Sequence, residues 1–103
     1  MRQGLQAASP DLREARRKKV FLPVAIETVI GPHRAHILDI SQSGARMHID
    51  AAVACGETVV LHCGAIDISS QVSWRRDLFC GVRFAQQLSG EQVNALVTAK
   101  SDT

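Results

Sequence analysis

Arg34-Ala-His-Ile-Leu-Asp-Ile-Ser-Gln-Ser-Gly-Ala-Arg-Met-His-Ile49 carries two runs of strand-forming residues with a polar break between them. Arg34 to Ile40 reads as a strand and Ser41 to Gly44 as a tight connection. Ala45 to Ile49 reads as a second strand, with Ala45, Met47 and Ile49 on one face. Side chains of a strand alternate between its two surfaces, so apolar residues at every second position mark a sheet with one buried face. The segment is expected to be a hairpin.

The same signature recurs on both sides. Upstream, Val20-Phe-Leu-Pro-Val-Ala-Ile-Glu-Thr-Val-Ile30 is rich in β-branched residues, and Pro23 suits a sheet edge or a bulge. Gly31-Pro32 then punctuates a turn. Downstream, Val59 to Leu61, Ala65 to Trp74 and Leu78 to Phe84 are separated by turn signals at His62 to Gly64 and Arg75 to Asp77. Six short strands at this spacing predict an all-β fold, a closed antiparallel barrel. Phe84 and Trp74, the latter following Val72 on the alternation, are expected in its core. From Ser89 the period changes: Ser89 is placed as N-cap, Gln92 at the third helical position, and Val93, Leu96 and Val97 on one face. A C-terminal helix over 89–99 should lie against the barrel.

With 103 residues there is room for one core. Residues 1–12 mix Gln, Gly, Ser, Pro and Ala without period and are expected to be a flexible tail, so the domain is set at 13–100. Hydrophobic residues at 46% and charged residues at 21% exclude a disordered chain. No apolar run is long enough to span a membrane, and the N-terminus lacks the pattern of a secretory signal, so a cytoplasmic location is expected. The cysteines Cys55, Cys63 and Cys80 are odd in number and lack C-x-x-C spacing, which favours buried reduced thiols.

Neither G-x-S-x-G nor H-E-x-x-H occurs, so an enzyme is not expected. His33 and His36 stand near a turn, with His48 and His62 elsewhere, but no carboxylate or cysteine sits at ligand spacing beside them, and no metal is expected. Net charge is only +2, yet it is unevenly spread: Arg13, Arg16, Arg17, Lys18 and Lys19 face only Asp11 and Glu14 across residues 11–19. This basic arm, 13–19, is either a solvated charged segment or an anion grip. Arginine meets a phosphate or the O6 and N7 of guanine through two parallel hydrogen bonds, and its flat face stacks on a purine. Arg13 and Arg17, four apart, converge whether the arm is extended or helical. Asp39-x-Ser41-x-x-Gly44 offers a carboxylate to accept from guanine N1 or N2, a hydroxyl, and a glycine for the turn. The same pattern is equally an Asx-turn closing the hairpin, with Gly44 supplying a positive φ.

The order and spacing of these pieces resemble the PilZ domain family. They are the arginine segment, Val20-Phe-Leu-Pro-Val24, Asp39-x-Ser41-x-x-Gly44-Ala45-Arg46, Val72-x-Trp74-Arg75-Arg76 and Gly81-Val82-x-Phe84, from about Arg13 to Phe84. The resemblance implies a six-stranded barrel of bacterial origin that binds the second messenger cyclic di-GMP through R-x-x-x-R and [D/N]-x-S-x-x-G. Arg13 and Arg17 match the first motif, with Arg16 able to substitute for either; Asp39, Ser41 and Gly44 match the second. It further implies no cofactor beyond that ligand, and a protein partner in motility, exopolysaccharide or cell-cycle signalling. Lys19 stands where the family's second arginine usually precedes the first strand, which keeps open a PilZ-like adaptor that binds protein without cyclic di-GMP. Nucleic-acid binding through the arm is not expected, because the arm has no aromatic residue for bases to stack on.

Overall fold

The alternation of Ala45, Met47 and Ile49 is the inner surface of a barrel, each of the three being buried. The computed structural model describes residues 17–101. Six strands, β1 (Lys18–Thr28), β2 (Gly31–Ile40), β3 (Gly44–Ile49), β4 (Thr58–Cys63), β5 (Ile66–Arg76) and β6 (Phe79–Phe84), precede helix α1 (Gly90–Ser101). They close in the order β1-β2-β3-β6-β5-β4, with every neighbouring pair antiparallel. Closure leaves the inward residues of all six strands in one core, where Ile26, Ile37, Ile40, Met47, Ile49, Leu61, Val59, Val72 and Cys80 are fully buried. Each large aliphatic side chain removed from water contributes about 1.5–3 kcal/mol before entropy is counted.

The helix begins as its sequence indicates. Ser89 N–H donates to Gln92 Oε1 at 2.8 Å and Gln92 N–H donates to Ser89 Oγ at 3.0 Å, a reciprocal capping box. Val93 and Leu96 join the barrel core, and the helix packs against β1.

Four expectations are corrected. First, β1 starts at Lys18 rather than Val20, with Lys18 opposite Ile40 and Lys19 opposite Asp39, so the end of the basic arm is part of the sheet. Second, Val29 and Ile30 form the turn and Gly31-Pro32 belongs to β2. The Thr28 hydroxyl donates to the Gly31 carbonyl at 2.9 Å and accepts from Ile30 N–H, while Gly31 takes φ of 117°, which only glycine adopts easily. Third, Trp74 is 41% exposed rather than core. Val72 faces Val82 but Trp74 faces Gly81, so β5 advances two residues against one of β6, and the extra residue turns Trp74 to the outer surface. Fourth, Cys55 is exposed, its thiol donating to the Ser73 carbonyl; Cys63 and Cys80 are buried as expected, and burial pushes the Cys63 thiol up to about 11.

The seam between β1 and β4 is the shortest ladder, Ala25 to Glu27 against His62 to Val60. His62 straddles it, with Nδ1 2.7 Å from Asp67 Oδ1 on β5 and Nε2 3.4 Å from Glu27 Oε1 on β1. The hydrogen bond to Asp67, chiefly, raises the His62 pKa above 6.5 against the lowering by desolvation, with the bond to Glu27 adding to the rise. A pKa raised on folding stabilises the fold fully below 6.5, and the gain is lost as pH rises through the higher folded value. Urea denaturation between about pH 5.5 and 8.5 should therefore show wild type losing stability relative to His62→Gln as pH rises. Parallel pH profiles for the two proteins would remove His62 from the seam's energetics.

Candidate ligand site around Asp39

Asp39 lies where β2 is flanked by both neighbours, opposite Lys19 on β1 and Arg46 on β3. The β2–β3 register shifts between Ile37 and Asp39, which sets the carboxylate beside the Arg46 side chain. Its Oδ1 accepts from Arg17 Nη1 and its Oδ2 from Arg46 Nε at 2.9 Å. Asp39 is 6% exposed, whereas the side chains of Arg17 and Arg46 are 39% and 43% exposed. A carboxylate offers roughly four lone-pair sites, so a donor edge still finds acceptors here, with cationic planes on both sides.

The connection after β2 is held from within and from below. Ser41 N–H donates to the Gly44 carbonyl at 2.9 Å, its hydroxyl lies 3.3 Å from the same oxygen, and Ser43 N–H donates to Ser41 Oγ at 3.3 Å. The segment leaving β6 is stitched to this turn: Leu88 N–H donates to the Gln42 carbonyl, Gln42 Nε2 donates to the Leu88 carbonyl, and Phe84 N–H donates to the Ser43 carbonyl. The Asx-turn expectation is corrected. Asp39 bonds arginines rather than the turn, Ser41 closes the turn instead, and Gly44 is absent from the positive-φ positions among the described residues. Glycine is required at 44 by proximity, since a Cβ there would lie 2.4 Å from the Val82 carbonyl oxygen.

Beyond Arg46 opens a cleft of about 470 Å³ lined by Arg46, Trp74, Arg75, Arg76 and Phe79. Arg75 is anchored by bonds of 2.8 Å to the carbonyls of Ala51 and Asp77, neutral acceptors that leave its charge uncancelled. The Trp74 indole covers Gly81 so closely that a Cβ at 81 would meet Nε1 at 2.1 Å. Gly81→Ala is therefore expected to push the indole off its seat rather than unfold the barrel, because a half-exposed side chain can swing away. The tryptophan emission should shift to the red with a urea midpoint close to wild type. An unshifted spectrum would mean that the ring does not rest on residue 81.

The structure brings Arg17, Asp39, Ser41 and Gly44 together; Arg13 and Arg16, and the proposed tail at 1–12, lie outside the described residues. Arg46 and the Trp74 cleft were not assigned site roles from sequence. Arg46 was nevertheless within reach, being the cross-strand partner of Asp39 in the predicted hairpin.

A family model for the PilZ domain matches residues 11–99, nearly the whole chain. This chain belongs to the PilZ domain family. None of the curated proteins matches it. The closed six-stranded barrel with one C-terminal helix is the fold expected of PilZ domains, a family of cyclic di-GMP receptors and adaptors whose members are binding domains. Among the described residues, no helix of this PilZ domain is long and apolar enough to cross a membrane.

Proposed function

We propose that this PilZ domain is a cyclic di-GMP receptor that couples the level of the second messenger to a protein partner in the cytoplasm. The observation that carries the reading is that Arg17, and not Lys19, occupies Asp39 Oδ1, although Lys19 is the residue paired with Asp39 in the sheet. This supports reading the arginine motif at Arg13 and Arg17 rather than at Lys19, since the lysine in β1 does not displace Arg17. Guanine N1–H and N2–H donate to Asp39, the guanidinium planes of Arg17 and Arg46 flank the base, and the phosphodiester charge falls among Arg17, Arg46 and Arg76. Arg13 and Arg16 are the further arginines that the family motif assigns to the ligand, Ser41 and Gly44 shape the turn beneath, and ligand binding is the signal read by a partner in motility, exopolysaccharide or cell-cycle signalling.

Calorimetric titration with cyclic di-GMP, with GTP, and with an Arg17→Ala variant tests the reading. Saturable binding, selective over GTP and weakened by the substitution by about tenfold or more, is expected. No heat at high ligand concentration, with NMR spectra unchanged, would replace the receptor by the adaptor that binds protein alone, the alternative suggested by Lys19.

A further inference from the structure

The outer face of the barrel across β1, β2, β3, β6 and β5 carries a continuous row of rings. The registers align Pro23, His36, His48, Phe79 and Arg76 side by side on successive strands. Phe21 stacks on His36 with centroids 4.5 Å apart and planes 13° from parallel, and His48 meets Phe79 edge-on at 5.4 Å. The next row holds Arg46, Gly81 and, over it, Trp74. Phe21, Trp74 and Phe79 are 55%, 41% and 40% exposed.

Arginines outnumber carboxylates on this face. The outward positions of these five strands include Arg34, Arg46, Arg76 and Arg83, against Asp39 and, at His62, Glu27 and Asp67. Asp39 is already bracketed by two arginines, Glu27 and Asp67 are engaged by His62, and Asp50 and Asp77 stand at the far rim, beyond the ends of β3 and β5. A protein interface gathers its apolar residues into a centre with a polar rim. Here rings and guanidinium groups are interleaved row by row, with Arg46 and Arg76 beside Trp74 and Phe79. Flat exposed rings spaced along a cationic sheet offer stacking faces to unpaired bases while the arginines follow a phosphate backbone.

We propose that this face binds single-stranded nucleic acid. The stacking residues absent from the basic arm are supplied by the barrel, and the inference does not depend on cyclic di-GMP being the ligand of the Asp39 site. A duplex is disfavoured because its bases are already stacked.

The test is fluorescence anisotropy with labelled oligothymidylate of about 15 nucleotides, its duplex, and polyglutamate as competitor, all without cyclic dinucleotide. Saturable binding of the single strand is expected, tighter than of the duplex. Phe21→Ala and Phe79→Ala should each weaken it by about tenfold or more, and Phe79→Trp should retain it. Urea midpoints near wild type for the exposed Phe21 variant keep the test independent of folding. Affinity unchanged in both alanine variants, with only a steep loss in salt, would reduce the effect to nonspecific attraction and overturn the proposal. So would absence of binding at low salt, or equal competition by polyglutamate, which would mark the face as a surface for acidic protein.

Discussion

Asp39→Ala is expected to lower affinity for cyclic di-GMP by at least about a hundredfold while leaving the barrel folded. Both effects follow from where the carboxylate sits. It bonds Arg17 and Arg46 at once, so its loss removes the proposed guanine acceptor and the carboxylate that both guanidinium groups share. Truncating one partner of such charged hydrogen bonds costs roughly 3 kcal/mol in binding, which is about a hundredfold. Stability should fall far less, by about 1 kcal/mol or under, because the side chains of both arginines are about two-fifths exposed and their ion pairs with Asp39 are screened by water. Calorimetry beside urea denaturation separates the two effects. Binding within threefold of wild type would show that the carboxylate is structural and that the ligand is held elsewhere.

Gly44→Ala should do the reverse and strike the fold. A methyl group at 44 meets the Val82 carbonyl oxygen, an atom of the neighbouring strand that cannot rotate aside, at the point where Gly44 pairs with Arg83. The strands must part or the turn must deform, and the same turn anchors the segment leading to α1 through Ser43 and Gln42. A loss on the order of 3 kcal/mol is expected, at the upper end of overpacking costs, seen as a marked drop in urea midpoint. The contrast with Gly81 is instructive. There the obstacle is an indole free to move, so a similarly close approach costs little stability. A Gly44→Ala protein as stable as wild type would mean that β3 and β6 tolerate separation at this point.

The inner surface of the barrel was legible in the sequence because the two-residue period of Ala45, Met47 and Ile49 leaves one geometry for a buried face. The helix was legible because Ser89 and Gln92 carry their own start signal. Trp74 was not, since the alternation from Val72 is broken by one extra residue at Ser73, and nothing in Val-Ser-Trp marks a bulge that depends on the facing strand. Val29 and Ile30 misled for a related reason: β-branched residues favour strands, but the Thr28 hydroxyl and Gly31 together fold the chain back before them. At the site, the structure brings the motif residues Asp39, Ser41 and Gly44 together, while the reason for the glycine lay in a carbonyl of β6, far away in sequence. Arg46 needed the hairpin register to be seen as the second hand on Asp39.

β1 is clamped unevenly. Over most of its length it has a strand partner on the β2 side alone, and β4 grips it only at Ala25 to Glu27. It runs for roughly 35 Å, held by β2 from Lys18 to Thr28. Arg17 sits at one end and the exposed tip of Val29 and Ile30 at the other. The candidate ligand site and the exposed Val29–Ile30 tip are thus opposite ends of a single strand.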